Sequence, residues 1–163
     1  SVTAVTPMTI NGEVVSSTSI RNALAKGDME KVRRLTGRFF SLHGRVIHGD
    51  GRGAKLGFPT ANLAVSADQA IPADGVYATR ARLAGRVYSS VTNIGKRPTF
   101  GAGVRTVETY LVGYDGVAYE EELRIDFIER LRPEKRFDSP EELRDQMKKD
   151  VEQALSMLEK VAG

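Results

Sequence analysis

The feature that most limits how this chain can fold is a series of short strand-like segments, separated by turn signals rather than by helices. They occupy residues 42–48, 76–83, 86–94, 106–114, 117–121 and 123–130. Ala84-Gly85 and Asp115-Gly116 each join two neighbouring segments and are typical of tight hairpins. About six strands connected in this way predict a mainly β protein, either an antiparallel sandwich or a barrel.

A helix is predicted at the end of the chain. Ser139 is the expected N-cap, Pro140 occupies the first helical position, and Glu142 completes a capping box. Apolar residues then recur at helical spacing, namely Leu143, Met147, Val151, Ala154, Leu155 and Leu158. We expect this stripe to pack against the strands as part of the core, rather than to bind a partner.

Residues 1–37 differ from the rest of the chain. Two short strands are predicted at residues 3–8 and 13–15 around the hairpin signal Asn11-Gly12, and two short helices follow before Gly37. One hairpin and two short helices cannot bury much surface. We therefore interpret residues 1–37 as a remnant of, or an extension to, a larger unit, and residues 38–163 as the main domain.

The composition of the chain excludes several classes of protein and several kinds of functional site. The chain has 163 residues, of which 40% are hydrophobic and 28% are charged, as in soluble globular proteins. Its apolar runs are too short to span a membrane and its start does not resemble a secretion signal, so we expect a cytoplasmic location. The absence of cysteine excludes disulfides, thiolate metal sites and a cysteine nucleophile.

The net charge of +3 is unevenly distributed along the chain. Basic residues dominate the first third, and acidic residues dominate the last third. A basic first part predicts a bound polyanion, either RNA or a nucleoside triphosphate. A scatter of surface charges without any ligand explains the gradient equally well.

A glycine-rich stretch before residue 60 is the first candidate site. Gly49, Gly51 and Gly53 would let backbone N–H groups approach an anion closely. Arg52 and Lys55 would help to neutralise that anion. The spacing is neither that of a Walker A loop nor that of a dinucleotide-binding Gly-x-Gly-x-x-Gly motif, so an ordinary flexible loop is the alternative to phosphate binding.

The residues that follow this loop suggest a metal site and a base. Pro59 fixes the backbone, and Thr60 and Asn62 then share one face of an extended segment. Their hydroxyl and amide oxygens suit Mg²⁺ that also holds phosphate, although both side chains could instead bond to the local backbone. Glu108, in an otherwise neutral strand, could accept a proton from a substrate hydroxyl or could simply face solvent.

Two charged loops are weaker candidates. Residues 93–100 form a basic segment that either lines a cleft or makes an ordinary turn. Residues 130–137 form a charged run before the last helix, in which Phe137 provides an apolar anchor. His43 and His48 are too few and too close together for a histidine metal site.

Taken together, these residues resemble the riboflavin kinase module of bacterial bifunctional FAD synthetases. The matching strings are Gly44-Arg-Val-Ile-His-Gly49, Leu56-Gly-Phe-Pro-Thr-Ala-Asn-Leu63, Gly75-Val-Tyr77, Asn93-Ile-Gly-Lys-Arg-Pro-Thr-Phe100, Val107-Glu108 and Leu131-Arg-Pro-Glu-Lys-Arg-Phe-Asp-Ser139. Residues 16–21 are similar to the closing motif of the family's N-terminal FMN adenylyltransferase domain. The resemblance therefore implies that this domain is attached covalently upstream, with only its last hairpin and helices in residues 1–37.

The resemblance implies transfer of a phosphoryl group from MgATP to the terminal ribityl hydroxyl of riboflavin, giving FMN and ADP. Thr60 and Asn62 match the ligands of Mg²⁺ and phosphate, and Glu108 matches the catalytic base. The nucleotide and flavin contacts implied are Gly49, Gly51, Arg52, Gly53, Lys55 and Pro59 around the phosphates, and Arg132 and Phe137 near the flavin. The loop from Leu131 to Phe137, together with the start of the last helix, matches the family's flap near the flavin. The implied fold is a six-stranded antiparallel Greek-key barrel with a C-terminal α-helix.

The chain departs from the family pattern at two places. Tyr110 stands where the family usually has His, and Tyr119-Glu120 stands where it often has Tyr-Gly. Both concern the flavin pocket rather than the reaction. The resemblance also implies small-molecule substrates, with neither nucleic acid nor membrane as a partner.

The alternative function is a small basic barrel that binds RNA through its Gly-Arg-Gly loop. Only 7% of the residues are aromatic and none is Trp, so a base-stacking face is poorly supplied. The acidic last third would also repel an RNA backbone.

Overall fold

The computed structural model describes residues 1–96 and 104–161. The elements in this part of the chain are β1 (Thr9–Ile10), β2 (Glu13–Val14), α1 (Ser17–Ala25), α2 (Met29–Thr36), β3 (Phe40–Ile47), α3 (Arg52–Lys55), β4 (Thr60–Leu63), β5 (Gly75–Leu83), β6 (Arg86–Lys96), β7 (Arg105–Leu111), β8 (Glu122–Arg132) and α4 (Pro140–Lys160).

Six of the strands close into a barrel in the order β3-β4-β7-β6-β5-β8, and every neighbouring pair is antiparallel. β5, β6 and β7 follow one another as a meander, and β8 returns to pair with β5. That order is a Greek key. The predicted fold, a mainly β six-stranded antiparallel Greek-key barrel with a C-terminal helix, is therefore confirmed.

Two of the predicted strands are wrong. Residues 3–8 lie outside the first hairpin, which consists only of β1 and β2. Residues 117–121 form no strand either, because β7 pairs with β4 and β6 on its two sides and leaves no edge for them. The sequence marked β4 only as an extended segment, yet it is the sixth strand of the barrel.

Side chains alternate between the inside and the outside of the barrel. The interior is filled by large buried residues such as Leu42, Tyr77, Ile94 and Phe127, each at most 1% exposed. α1 and α2 lie against this barrel, and their buried residues Ala23, Leu24, Met29 and Val32 belong to the same core cluster. The division of the chain at residue 37 stays a prediction.

Four hydroxyl groups form a chain inside the barrel. Thr79 Oγ1 on β5 lies 2.7 Å from Ser90 Oγ and 2.8 Å from Thr92 Oγ1, both on β6. Thr92 donates in turn to Thr109 Oγ1 on β7 at 2.8 Å. All four residues are fully buried, so these bonds are shielded from water and tie three strands together.

We expect Thr92→Val to lower the free energy of unfolding by about 1–2 kcal/mol, because Thr109 loses its donor and Thr79 loses one partner. Denaturant titration measures this loss. The double variant Thr92→Val/Thr109→Val should be no less stable than the single variant, because both partners are then apolar. Two additive losses would contradict this role of the hydroxyl chain.

α4 begins as predicted at Ser139, whose Oγ accepts a hydrogen bond from the Glu142 N–H at 3.2 Å. In the expected capping box, the Glu142 carboxylate would accept a hydrogen bond from the Ser139 N–H. It accepts one from the Asp138 N–H instead, at 3.3 Å. The C-terminal half packs Ala154 and Leu158 on the outer face of the barrel. Within residues 1–96 and 104–161, no helix is both long and apolar enough to cross a membrane.

Candidate active site

A row of polar side chains crosses three neighbouring strands. Asn62 on β4 is directly opposite Glu108 on β7, and Glu108 is directly opposite Asn93 on β6. Residues paired in this way point to the same face of a sheet. The next residues along each strand, Leu63 and Val107 among them, fill the barrel interior, so the polar row lies on the outer face.

Thr60 joins this row from one end of β4. It lies two residues before Asn62 and therefore on the same face. Its Oγ1 donates to Glu108 Oε2 at 3.5 Å. Asn62 is only 9% exposed. The structure thus brings together the hydroxyl, the amide and the carboxylate that the sequence singled out.

The polar row carries oxygen atoms of the kind that Mg²⁺ binds. Among the described residues there is no cluster of three or more His, Cys, Asp or Glu side chains, and so no cage made by the protein alone. Mg²⁺ prefers oxygen ligands and usually keeps waters and substrate phosphates in its coordination shell. The hydroxyl of Thr60 and the amide oxygen of Asn62 fit such an ion as two ligands of an otherwise open coordination shell, with the Glu108 carboxylate beside them.

The glycine-rich loop between β3 and β4 folds back over this row. A Cβ on Gly49 would overlap the Asn62 amide, with Oδ1 only 2.6 Å away. A Cβ on Gly53 would overlap the carbonyl oxygen of Phe58. Both positions therefore require glycine for close approach. Gly51 has a φ of +66°, and the residues after it form the short α3, a helix that the sequence analysis did not predict.

A cavity of about 320 Å³ lies between the outer face of the barrel, the segment 131–137, which we call the flap, and the first half of α4. Its polar lining includes Thr60, Asn93 and Glu108 from the strands, and Arg132, Glu134 and Asp150 from the flap and α4. Its apolar walls are Leu56, Val76, Val91, Leu143, Met147 and Val151. The first half of the α4 stripe therefore lines a cavity, whereas its helical spacing alone predicts core packing. The resemblance places the start of this helix near the flavin.

A smaller cavity of about 220 Å³ also has Thr60 in its lining. Pro59, Leu111, Tyr114 and Tyr119 are among its lining residues. The ring of Tyr119 also stacks on His48 with 3.9 Å between ring centres. Thr60 lines both cavities and so stands where ligands in the two would meet.

The flap is anchored by charged contacts. Arg132 forms an ion pair with Asp150 of α4 at 2.8 Å, and the Phe137 ring lies 5.8 Å from its guanidinium carbon. Glu134 lies against β6, where Asn93 Nδ2 donates to it at 3.5 Å and a Cβ on Gly95 would overlap its carboxylate. Partial burial raises the pKa of Glu134, as do the charges of Asp74 and Glu108, although Asn93 and Arg132 act in the opposite direction.

This shift predicts a pH-dependent effect of Glu134→Gln on stability. The folded pKa lies above the unfolded value near 4.5, so the wild-type protein loses stability as pH rises from that value through the folded pKa. The Glu134→Gln variant does not lose this stability, because glutamine does not ionise. The Tm of the variant should therefore exceed that of the wild type at pH 7, with no difference at a pH below both values.

Thermal denaturation followed by circular dichroism at a series of pH values measures this difference. Glu152→Gln is the control, because it removes one exposed carboxyl from α4. A Tm difference that is the same at every pH would contradict the predicted shift in the Glu134 pKa.

The predicted site residues are distributed around the two cavities. Those lining the larger one are Arg52, Gly53, Thr60, Glu108, Arg132 and Phe137. Pro59 lines the smaller one, Gly49 lies against Asn62 of the polar row, and Gly51 and Lys55 are exposed on the loop. Residues 97–100 of the predicted basic loop lie outside the described residues.

Sequence reasoning gave no individual role to Glu134, Asp150 or the apolar cavity residues of α4, although the resemblance places the loop 131–137 and the start of the last helix near the flavin. Asp150 carries a visible signal, because it is an acid within the stripe that contains Met147, Val151 and Ala154. A charge at such a position needs a partner once the helix packs. Glu134 carries no signal of this kind.

Known proteins resemble this chain in sequence and in fold. The family profile described as "Flavokinase: Riboflavin kinase" matches residues 36–158. Among curated relatives, the bifunctional riboflavin kinase/FMN adenylyltransferase of Bacillus subtilis is 37% identical over 94% of this chain and 49% of its own length. The protein with the same description from Haemophilus influenzae is 38% identical over 89% of this chain and 47% of its own length. The chain thus spans about half the length of the curated relatives it matches.

Two solved structures are also similar. A Streptococcus pneumoniae protein described as a macrolide-efflux protein has a TM-score of 0.83 and 32% identity, covering 90% of this chain and 48% of that one. Riboflavin kinase from Trypanosoma brucei has a TM-score of 0.54 and 25% identity, covering 76% of this chain and 82% of that one. These comparisons give no support to the RNA-binding alternative. The family profile covers most of the chain, and the chain belongs to the riboflavin kinase family.

Proposed function

We propose that this chain transfers the γ-phosphoryl group of MgATP to the terminal ribityl hydroxyl of riboflavin, giving FMN and ADP. The observation that carries the proposal is the position of Thr60, which lines both cavities and donates to Glu108. Two ligands that meet at Thr60 would bring a phosphate and an alcohol together beside a carboxylate. Phosphoryl transfer depends mainly on this kind of positioning.

The chemistry of each cavity favours one substrate. The larger cavity has the apolar side chains Leu143, Met147 and Val151 of α4 and the Glu108 carboxylate in one lining, which suits a flat isoalloxazine ring with its ribityl chain directed to the carboxylate. The smaller cavity has Pro59, Leu111 and Tyr114 in its wall, which suits a purine ring. The phosphates would then run past Thr60, under the loop that holds Gly49, Gly51, Arg52, Gly53 and Lys55.

In the proposed reaction, Glu108 accepts the proton of the ribityl hydroxyl. At the same time, the oxygen of that hydroxyl bonds to the γ-phosphorus. The bond between that phosphorus and the oxygen bridging to the β-phosphate breaks, and ADP leaves with the electron pair. Mg²⁺, when bound with the nucleotide, would offset the negative charge of the phosphate oxygens. Thr60 and Asn62 would hold that ion, and Arg52 and Lys55 would add positive charge from the loop.

We also propose that the chain is the C-terminal part of a bifunctional cytoplasmic enzyme whose upstream domain adenylylates FMN to FAD. In this proposal residues 1–37 belong to the upstream unit and residues 38–163 form the kinase domain. The support is that the curated relatives carry both activities in their descriptions and that the chain matches about half of each. Its substrates are then small molecules, and nucleic acid and membrane have no part in the reaction.

Incubation with riboflavin, ATP and Mg²⁺, followed by chromatography, tests the proposal. We expect FMN and ADP to form in equal amounts, and a chelator to stop their formation. The absence of FMN, together with RNA binding that weakens with salt, would overturn the proposal in favour of the RNA-binding module.

A further inference from the structure

Asp150 is a carboxylate on the side of α4 that faces the barrel. Its side chain is only 4% exposed and is paired with Arg132 at the end of β8. Arg132 Nε donates to Oδ1 at 3.0 Å and to Oδ2 at 3.2 Å, and Nη2 donates to Oδ2 at 2.8 Å. Gln146, one turn earlier on α4, donates to Oδ1 at 2.9 Å. A bidentate pair of this kind fixes the plane of the guanidinium as well as its position.

The guanidinium also contacts the flap. Arg132 Nη1 donates to the carbonyl oxygen of Pro133 at 3.1 Å, and the Phe137 ring lies 5.8 Å from the guanidinium carbon. Arg132, Phe137 and Asp150 all line the larger cavity. A single ion pair therefore connects α4, the end of the barrel and the aromatic residue of the flap, at the wall that the flavin would contact.

We propose that Asp150 is a positioning residue, which holds Arg132 and, through it, the flap at the flavin end of the larger cavity. The proposal rests on the proposed function, because that function assigns the flavin to this cavity. Arginine has five N–H groups, and the described contacts use only three of those on Arg132. While Asp150 holds the plane of the guanidinium, the other two N–H groups of Arg132 keep one orientation relative to the cavity.

Loss of this anchor should affect binding of one substrate more than the chemistry. Arg132 and the flap would then have to be ordered each time riboflavin binds, which weakens binding. The binding of ATP would change little, because neither Asp150 nor Arg132 lines the smaller cavity that the proposed function assigns to the purine ring. The step in which Glu108 accepts a proton does not involve Asp150.

The test uses Asp150→Asn, which keeps the size of the side chain and removes its charge. We expect the KM for riboflavin to rise roughly tenfold and the KM for ATP to change less than about twofold. Trypsin should also cut the free variant after Lys135 or Arg136 roughly tenfold faster than the wild type, because the flap is no longer anchored. Asp145→Asn, an exposed aspartate on the same helix, is the matched control and should change none of these values.

The cleavage rate does not depend on catalysis, so the two proposals can fail separately. If the wild type makes no FMN but Asp150→Asn still accelerates flap cleavage, the proposed function fails and the anchoring of the flap by Asp150 stands. If FMN forms but the variant leaves both flap cleavage and the KM for riboflavin unchanged, the positioning role is overturned. Equal rises in both KM values would overturn it as well, because they indicate a general structural defect.

Arg132→Lys is the second variant if Asp150→Asn does not fold. Lysine keeps the positive charge beside Asp150 but cannot form the bidentate pair. Because Arg132 itself lines the cavity, flap cleavage is the deciding readout: cleavage roughly tenfold faster than in the wild type, with a rise in the KM for riboflavin but not for ATP, supports the positioning role. Unchanged KM values for both substrates would overturn it.

Discussion

Glu108→Gln should lower the turnover of riboflavin by about 10²–10⁴-fold, because a general base contributes a factor of this size. Glutamine has nearly the same shape as glutamate and can still accept a hydrogen bond from Thr60, so the row on the outer face of the barrel should be preserved. It cannot take the proton of the ribityl hydroxyl at neutral pH. The affinity for MgATP should therefore stay close to that of the wild type while kcat falls.

Steady-state kinetics and calorimetric titration with MgATP measure the two quantities separately. Glu129→Gln is the matched control, since Glu129 is an exposed glutamate on β8, another strand of the barrel. Its kcat should equal that of the wild type. Turnover by Glu108→Gln at the rate of the wild type would remove Glu108 from the chemistry, and loss of MgATP binding would assign it to the metal site instead.

Gly49→Ala should weaken MgATP binding roughly 10–100-fold, the usual range when a residue that orients a metal ligand is changed. A methyl group on Gly49 would occupy the space of the Asn62 amide, so the amide must rotate away or the loop must lift. In either case the oxygen of Asn62 leaves the position beside Glu108. The affinity for riboflavin should be unchanged, because neither residue lines the larger cavity.

A second variant distinguishes this cause from a general disturbance of the loop. Asn62→Ala removes the amide with which the methyl group would collide. Gly49→Ala/Asn62→Ala should therefore bind MgATP no more weakly than Asn62→Ala alone. Further loss in the double variant would show that the methyl group acts on the loop and not on Asn62.

The sequence predicts the barrel well because its strands alternate between a buried and an exposed face. The prediction fails where a strand is too short to show that alternation, or where a segment outside the barrel shows the sequence signals of a strand. β4 has only four residues directly after Pro59, which is too few for the pattern to stand out. Residues 117–121 follow Asp115-Gly116, a turn signal that in the structure closes no hairpin.

The candidate site is predictable only in part, for a different reason. The chemistry of Thr60, Asn62 and Glu108 is visible in the sequence, but their proximity depends on the pairing of β4 with β7, which no local pattern specifies. The cavity wall on α4 is hidden because Met147 and Ala154 look alike in an apolar stripe. Only the packed structure separates the residue that lines a cavity from the one that is buried in the core.

The place of Thr60 between two cavities has a stereochemical consequence under the proposed function. A donor held in one cavity and an acceptor held in the other can react directly at the phosphorus beside Thr60. The group then passes directly between them in line, which inverts the configuration at phosphorus. No covalent phosphoenzyme forms on the way, and both substrates must be present in one ternary complex before either product can leave.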